Sequence, residues 1–319
     1  TYSSQADIKK NNRKSELMLR EMEMWACAAS LRGWTYPIEQ ADGLWKTLLL
    51  HQFHDILPGS SIARVYVEAN EAHEKLQADA AQITADAAAA LTEKKEGVTV
   101  FNSLSFERNS IVTLPDSFAD GAALSDGSPI PVQKTKEGVK ALVSMPSCGA
   151  VSLYPKAAEK TQEAALPEAE AASIQKTADG FVMENGLVSA RINGQGEVVS
   201  FRLKTGNGTA DGLFREYAAG PMNRLRLFKD VPRKFDAWDI DSNYVCQEIE
   251  GACEVAVEPV EEGLEAVLKV TGRISQSAYT QYIRLAADSR RLEFETIIDW
   301  KELHRLLKTS FPVNVYAEN

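Results

Sequence analysis

The sequence predicts an α+β multidomain protein, in which a three-helix antiparallel bundle precedes an antiparallel β-sandwich-like domain. Three observations support this fold class. Residues 5–92 place apolar side chains at helical spacing with few breaks. From Gly97 onward the chain changes to short, alternating, β-branched runs separated by Gly, Pro and Ser. At 319 residues the chain is also long for one domain, so about two domains are expected.

The first two helices follow from apolar spacing and from the residues that interrupt it. The first is predicted over QADIKKNNRKSELMLREMEMWACAASL, where apolar residues recur at spacings of two to four. Gly33 ends it, and Pro37 suits the first turn of the second helix. The second helix is predicted over about 38–55, before Pro58 and Gly59 interrupt it. Its apolar positions, with Trp45 expected in the core, are Leu44, Trp45, Leu48, Leu49 and Phe53.

A third helix follows the Pro-Gly break. Ser60 or Ser61 is expected to cap it, and it is predicted to run to about Leu91. Its alanine-rich end is a strong helix former. Three long helices with short connections form an antiparallel bundle, which we place at residues 1–92.

The β region divides into three parts. Residues 97–155 are predicted to form a small β segment, and residues 156–175 a linker or surface loop without apolar periodicity. Residues 176–319 are predicted to form an antiparallel β domain. Within it FVMENGLVSARINGQGEVVSFRL predicts a hairpin with Asn-Gly and Gly-Gln-Gly turns. Further strands are predicted in EVAVEPV, LEAVLKVTGRI, YTQYIRLAA and RRLEFETIIDW.

Composition excludes several classes of function. A net charge of −10 argues against nonspecific binding to nucleic acid, which needs a basic surface. No run of about 18 apolar residues is present, so no membrane span is expected. The N-terminal TYSSQADIKKNNRK lacks the apolar core of a signal peptide. No CxxC pair occurs, so free, buried thiols in a reducing compartment, the cytoplasm, are expected for Cys27, Cys148, Cys246 and Cys253.

The stretch LLLHQFHDILPGSS places two histidines and an aspartate at the end of an apolar run. On a helix, His51 and His54 would face the same side, and two imidazoles so placed could share a metal ion. Catalytic zinc uses three protein ligands, so His54 and its neighbour Asp55 would need partners from distant segments. The residues alone leave a structural role open, in which Asp55 accepts hydrogen bonds from the loop and His54 caps the last helix carbonyls.

A second cluster, KFDAWDID, combines acidic and aromatic side chains at Asp236, Trp238, Asp239 and Asp241. Indole faces stack on the C–H surfaces of sugars, and carboxylates accept hydrogen bonds from hydroxyl groups. A loop that faces a carbohydrate is therefore one interpretation. The other is a strand edge, with the tryptophan in the core and the acids in solvent.

The segment LWKTLLLHQFHDILPGSSIARVYVEA resembles the signature of α-mannosidases of glycoside hydrolase family 38. The stretches TYSSQADIKKNNRKSE, VFNSLSFER, LFKDVPRKFDAWDID and DWKELHRLLKTSFPVNV are similar to segments of the same family, in its bacterial and cytosolic branch. The resemblance covers nearly the whole chain. It implies that residues 1–92 are the family's middle domain and that the β region is part of its C-terminal domain.

The resemblance also implies roles for individual residues. His54 corresponds to a ligand of one divalent metal, expected to be zinc, and Asp55 to a supporting acid beside the metal and the sugar. The KFDAWDID segment is expected to border the sugar site, and nothing is carried over to His51. The other metal ligands, a His-x-Asp pair and the nucleophilic aspartate, lie in an N-terminal α/β domain in the family. No His-x-Asp pair occurs in this sequence.

The resemblance therefore implies the middle portion of a retaining α-mannosidase, truncated at both ends and inactive alone, since nucleophile and acid/base lie outside the chain. Its expected partner is a mannose-containing oligosaccharide, with neither nucleic acid nor membrane, and a homo-oligomer is possible. Two alternatives stay open. One is a non-catalytic carbohydrate-binding or scaffold module. The other is a metal-dependent phosphohydrolase of the helical His-Asp type, for which His73 is the one further histidine in the bundle.

Overall fold

The computed structural model describes residues 4–92, 96–136, 138–156, 171–205, 213–235, 238–249 and 251–316. Three helices are followed by antiparallel sheets, which confirms the α+β fold class. The chain divides into two compact units. One, here called the helical unit, contains Thr1–Glu96 together with Val231–Asp241, and the other, the β unit, contains Gly97–Asp230 and Ser242–Asn319. The helical unit is discontinuous in sequence, because Val231–Asp241, which lies between two strands of the β unit, belongs to it.

The helical unit is built from α1 (Ala6–Ser30), α2 (Ile38–His51) and α3 (Ala63–Leu91). Helices α1 and α3 run parallel, because Asn11 Nδ2 donates to Asn70 Oδ1 at 3.0 Å and, further along both helices, Arg32 Nη1 donates to the Leu91 carbonyl at 3.1 Å. The short connections make α2 antiparallel to both. Among the described helices, none is long and apolar enough to cross a membrane.

The buried positions of α1 and α3 alternate at spacings of three and four, which is the narrow heptad stripe of a coiled coil. The predicted stripe on α1, with spacings of two to four, is broader and would include Leu17. Leu17 is exposed, because it lies off the heptad face. The buried stripe on α1 includes Ile8, Asn12, Ser15, Leu19, Met22, Ala26 and Ala29. The buried stripe on α3 is Tyr66, Ala69, His73, Leu76, Ala80, Ile83 and Ala87.

Helix α2 ends at His51, four residues before the predicted end at residue 55. Pro58 restricts only the residue before it, so it does not explain an end seven residues earlier. Gln52, the residue after the helix, instead bonds through its side chain to Asn12 and Glu16 of α1. The predicted capping of α3 by Ser60 or Ser61 is also wrong, since its N-cap is Ile62 and no side chain caps it. Leu49 and Phe53 are 59% and 53% exposed, and Trp45 is half-buried rather than in the core.

The first part of the β unit forms two small sheets around a shared apolar core. Their strand orders are β1-β7-β3-β4 and β2-β6-β5, with every pairing antiparallel. A 3-10 helix at Asp116–Phe118 places Phe118 in that core, beside Leu153 and Val143. The strands are β1 (Val98–Asn102), β2 (Arg108–Leu114), β3 (Ala122–Ala123), β4 (Pro129–Ile130), β5 (Val132–Thr135), β6 (Gly138–Met145) and β7 (Gly149–Pro155).

The remainder of the β unit is a sandwich of two meanders. One has the order β12-β11-β10-β9-β8 and the other β15-β16-β17-β18, and one core cluster contains residues of both. A third sheet, in the order β14-β13-β19, adds Leu227 to that cluster. The strands are β8 (Ser173–Thr177), β9 (Gly180–Glu184), β10 (Val188–Asn193), β11 (Val198–Thr205), β12 (Leu213–Glu216), β13 (Arg224–Lys229), β14 (Glu248–Ile249), β15 (Ala252–Glu261), β16 (Glu265–Ile274), β17 (Ser277–Ala286), β18 (Leu292–Asp299) and β19 (Arg305–Ser310).

Three expectations for the β region and the cysteines differ in detail from the structure. The predicted hairpin is three strands, β9 to β11, because each of its two turns closes a separate pair. The predicted linker at 156–175 lies largely outside the described residues, and its last residues belong to β8. The four cysteines are free but exposed rather than buried, since they occupy turns and outward positions.

Candidate functional site

The turn that joins α2 to α3, residues 52–62, carries His54 and Asp55. Its backbone folds back on itself through bonds from Ile56 N to Phe53 O at 2.9 Å and from Gly59 N to Ile56 O at 3.2 Å. The two candidate residues are therefore in an irregular turn and not on the helix, which corrects the prediction that His51 and His54 share a helical face.

Contacts with the start of α1 fix this turn in place. Lys9 Nζ donates to the Pro58 carbonyl at 2.9 Å and also to the carbonyl of Ser4. Gly59 has φ +98°, and a Cβ at that position would lie 2.9 Å from the backbone oxygen of Ser4. A side chain there would be strained and would also push α1 away, so glycine is required. The apolar side chains that pack together at the base of the turn are Ile8, Ile56, Leu57, Tyr66 and Ala69.

Asp55 has a fixed main chain and an accessible side chain. Its carbonyl accepts hydrogen bonds from Ser61 Oγ at 2.7 Å and from the Tyr66 hydroxyl at 3.3 Å. Its Oδ1 accepts from Ser60 Oγ at 3.2 Å, as the structural interpretation of this residue expected. Its Oδ2 lies 3.4 Å from His54 Nε2, and the side chains of His54 and Asp55 are 75% and 54% exposed.

This pair can supply a metal ion with one imidazole nitrogen and one carboxylate oxygen. These donors suit zinc and similar divalent ions, and both point outward from an anchored turn. They make half of a four-ligand shell. Within the residues that the structure describes, no group of three or more His, Cys, Asp and Glu side chains could hold a metal ion. A metal site built on this pair would need its other ligands from elsewhere.

His51, three residues earlier, has a different environment. Its ring is buried, and Nδ1 donates to the Thr47 carbonyl at 2.7 Å within the same helix. The centroids of the His51 and His73 rings are 5.1 Å apart. His51 is thus part of the bundle interior.

The second predicted cluster lies in the same compact unit as the helices, although strands of the β unit flank it in the sequence. Trp238 is 50% exposed and Asp239 is exposed, so the interpretation that buries this tryptophan in the core is excluded. Their backbone N–H groups both donate to the carbonyl of Phe235, at 2.8 and 2.9 Å, and form a tight turn. The side chain of Phe235, with φ +56°, is itself 68% exposed.

The two other acids of that cluster differ. Asp241 Oδ2 accepts hydrogen bonds from Arg233 N at 3.1 Å and from Arg233 Nε at 3.2 Å, which closes the base of the loop. Its carboxylate is thereby engaged within the chain. Asp236 lies outside the described residues. The structure thus leaves Trp238 and Asp239 as the accessible members of the predicted cluster.

The interior of the bundle contains a set of buried polar residues that was not predicted from the sequence. This set, here called the polar layer, is Asn12, Ser15, His51 and His73. Ser15 Oγ lies 3.0 Å from His73 Nδ1, while His73 Nε2 is buried and no described residue hydrogen-bonds to it. Burial, and then the neighbouring His51, lower the pKa of His73 below its usual value. The signal that could have found this layer is the heptad spacing, which places position 73 on the buried stripe.

The glutamine of the His-Gln-Phe-His-Asp sequence connects the polar layer to the turn. Gln52 Nε2 donates to Asn12 Oδ1 at 3.1 Å and to Glu16 Oε1 at 2.9 Å. Asn12 Nδ2 in turn donates to Glu16 Oε1 at 3.2 Å. Because Gln52 precedes His54 by two residues, these bonds hold the start of the turn against α1 and position the histidine.

Two models of known protein families match parts of the chain. A family model described as the alpha mannosidase middle domain matches residues 1–91. A second model, described as the C-terminal domain of glycosyl hydrolases family 38, matches residues 183–319. Together the two models match more than two thirds of the chain.

Two curated proteins that are similar to this chain are named as alpha-mannosidases. Human alpha-mannosidase 2C1 is 30% identical over 323 aligned residues, which cover 99% of this chain and 29% of that protein. Alpha-mannosidase G of Dictyostelium discoideum is 27% identical, over 100% of this chain and 32% of its own length. The chain thus spans less than a third of the length of these curated relatives.

Solved structures share the fold. A glycosyl hydrolase family 38 protein from Enterococcus faecalis superposes with a TM-score of 0.71 at 16% identity, over 99% of this chain and 46% of that one. An alpha-mannosidase from Enterococcus faecalis V583 superposes with a TM-score of 0.69, also at 16% identity, over 97% of this chain and 43% of that one. At this identity the match concerns the fold alone.

Proposed function

The chain belongs to glycoside hydrolase family 38, and from that membership we propose that the full-length protein containing it is a metal-dependent, retaining α-mannosidase. Its substrate is proposed to be an oligosaccharide with terminal α-linked mannose. One observation within the chain carries the proposal: an anchored turn holds His54 and Asp55 side by side with both side chains accessible.

In this proposal the two residues act together on one divalent ion, expected to be zinc. His54 Nε2 would be the nitrogen ligand of the ion. Asp55 places a negative charge 3.4 Å from that nitrogen, which would favour a cation there. The ion, when bound, supplies positive charge that orients the hydroxyl groups of the sugar and stabilises the transition state.

The loop at residues 231–241 is proposed to contact the sugar. Trp238 presents half of its surface and Asp239 is exposed, so the indole can stack on a sugar ring while the carboxylate accepts a hydroxyl hydrogen bond. Asp241 holds the loop closed through Arg233 and so acts by positioning. The placement of this loop in the same compact unit as His54 supports this role.

The carboxylates that perform the chemistry are proposed to lie outside this chain. A retaining glycosidase needs one carboxylate as nucleophile and a second as acid and base. The described residues around His54 offer Asp55, which its neighbours Ser60 and His54 already engage. We therefore expect the chain of 319 residues to have no hydrolytic activity by itself. Localisation in the cytoplasm is also proposed, and four free, exposed thiols are compatible with a reducing compartment.

The test is His54→Ala in the full-length protein, with hydrolysis of an aryl α-mannoside and bound metal measured on the same samples. We expect hydrolysis to fall by roughly two orders of magnitude or more and metal content to fall with it, because one coordinate bond is lost. The melting temperature should change little, since the side chain is mostly exposed. His304→Asn, at another exposed histidine, is the control, because asparagine tolerates the positive φ of that position.

Two outcomes would contradict the proposal. If His54→Ala keeps both activity and metal, the ligand is misassigned. If the wild-type full-length protein binds a mannoside without hydrolysing it and contains no metal, the non-catalytic binding module is the better description.

A further inference from the structure

A polar cleft lies in the β unit, where the turn after β10 meets β13, β14 and β17. Its volume is about 400 Å³, within the range of roughly 300–1,000 Å³ that is usual for small-molecule sites. The side chains that matter for its chemistry are Glu197, Asn223, Arg224, Glu248, Tyr279 and Gln281. None of them belongs to the residues assigned above to the mannosidase function.

Two buried amides, Asn223 and Gln281, form a rigid part of the cleft wall. Asn223 Nδ2 donates to Gln281 Oε1 at 2.7 Å, and Gln281 Nε2 donates back to Asn223 Oδ1 at 3.1 Å. Their other amide hydrogens are used by the Gly196 carbonyl at 2.9 Å and by Thr296 Oγ1 at 2.7 Å. Each amide oxygen accepts one bond and has room for another, so the pair offers the cleft two acceptors in fixed positions.

Tyr279 adds a hydroxyl with no partner among the described residues. The residue is only 4% exposed and lines the cleft. Its ring lies over Gly272, where a Cβ would come within 2.7 Å of Cε1 and 2.9 Å of the hydroxyl oxygen. The glycine therefore makes the space that the ring occupies. Burial raises the pKa of Tyr279, so its hydroxyl stays protonated and can donate a hydrogen bond. Because Tyr279 lines the cleft, a ligand or water there can accept this hydrogen bond.

The charges on the rim select against ions. Arg224 lies 3.8 Å from Glu197, and Arg226 pairs with Glu248. An anion would meet the two carboxylates, and a metal cation would meet Arg224. A neutral ligand that both donates and accepts hydrogen bonds satisfies all of these groups. Its hydroxyls can donate to the amide oxygens and the carboxylates, and can accept from Tyr279 and Arg224.

We propose that this cleft binds one ring of a neutral sugar, with Asn223, Gln281 and Tyr279 as its fixed hydrogen-bonding groups. This assignment does not rest on the proposed hydrolytic function, because it follows from the cleft alone. A sugar ring has the size and the dense array of hydroxyls that these groups match. The β unit would then hold a glycan by a part of the chain far in sequence from the His54 turn.

The experiment is titration of the chain of 319 residues with methyl α-D-mannoside and methyl α-D-glucoside, followed by NMR. The readout is the side-chain NH₂ signals of Asn223 and Gln281, which a ligand at their oxygens must shift. We expect saturable shifts at these signals with at least one of the two sugars. Tyr279→Phe, which keeps the ring and removes one hydroxyl, should weaken binding about 10-fold, as expected for one buried hydrogen bond. Tyr282→Phe, on the same strand, is the control and should bind as the wild type does.

Several results would overturn the proposal. One is the absence of saturable shifts with both sugars up to high millimolar concentration. Another is equal binding by Tyr279→Phe and wild type. Shifts with inorganic phosphate or Ca²⁺ in place of the sugars would also exclude a neutral ligand. If His54→Ala abolishes binding while Tyr279→Phe does not, the sugar sits at the His54 turn, which supports the proposed function and refutes this one.

Discussion

His73 makes the stability of the helical unit sensitive to acid. Its ring is fully buried, Ser15 of α1 lies against Nδ1, His51 of α2 is adjacent, and Nε2 is without a partner among the described residues. Burial and His51 lower its pKa in the folded state. Below a pH of about 6.5 the unfolded chain therefore binds a proton that the folded chain does not. Stability is present above that pH and is lost as pH falls below it.

The corresponding prediction concerns His73→Leu. Between pH 7 and pH 5 the wild-type helical unit should lose up to about 2 kcal/mol of its free energy of unfolding, and the variant should lose much less. Thermal unfolding and hydrogen exchange of α1 and α3 at both pH values measure this. His304→Gln, at an exposed histidine, is the control and should keep the wild-type pH dependence. Equal pH dependence in all three proteins would refute the assignment to His73.

Asp55 gives a second prediction at the scale of single residues. Asp55→Asn in the full-length protein keeps an oxygen for Ser60 but removes the charge 3.4 Å from His54 Nε2. Metal affinity should fall roughly 10–100-fold, the range typical of groups that orient a ligand. Ser60→Ala removes the hydrogen bond and leaves the charge, so its effect should be smaller. Metal titration of both variants measures the two affinities. A larger loss of metal affinity in Ser60→Ala than in Asp55→Asn would show that the hydrogen bond matters more than the charge.

At the scale of elements, the turn after α2 depends on glycine. Gly59→Ala should destabilise the helical unit by about 1–2 kcal/mol, because φ is +98° and the new Cβ meets Ser4. The displaced turn should also lower metal binding in the full-length protein. Gly43→Ala is the matched control, since a Cβ there meets nothing and α2 gains up to about 1 kcal/mol of helix propensity. Chemical denaturation of both variants tests the contrast. Similar free energies of unfolding for the two variants would mean that the turn accommodates a Cβ at position 59 without strain.

The same turn illustrates what the sequence could and could not predict. Apolar spacing and the breaks at Gly33 and Pro58 were sufficient to predict all three helices, because these signals are local. The end of α2 depends on Gln52, whose side chain bonds to Asn12 and Glu16 on another helix. No local pattern contains that contact. His54 was identified by resemblance to a family, and its position on a turn rather than on a helix required coordinates.

At the scale of the whole molecule, the helical unit is discontinuous in sequence. Residues 231–241 join it from between β13 and β14, and their acidic and aromatic composition does not predict this, since membership of a unit is decided by distant contacts. Asp241→Ala removes the acceptor of both hydrogen bonds that close this segment, one from Arg233 N and one from Arg233 Nε. Hydrogen exchange should therefore accelerate in the segment and in the helices, while β13 and β14 stay protected. Lys234→Ala is the control. Faster exchange in the strands instead would argue against the division into these units.

The polar layer fixes the alignment of α3 along α1, and this limits where the bundle can be lengthened. If α3 slid by one heptad along α1, His73 would face Met22 or Ile8 in place of Ser15, and a buried polar ring would lose its hydrogen bond. Such a slipped alignment is disfavoured by a few kcal/mol, as a single buried polar group disfavours wrong registers in coiled coils. The layer lies toward the end of the bundle that carries His54. One heptad added to each helix on the far side, beyond Leu19, Leu76 and Leu44, should lengthen the bundle and leave the His54 turn where it is. The bundle can therefore be lengthened only at the end that is far from His54.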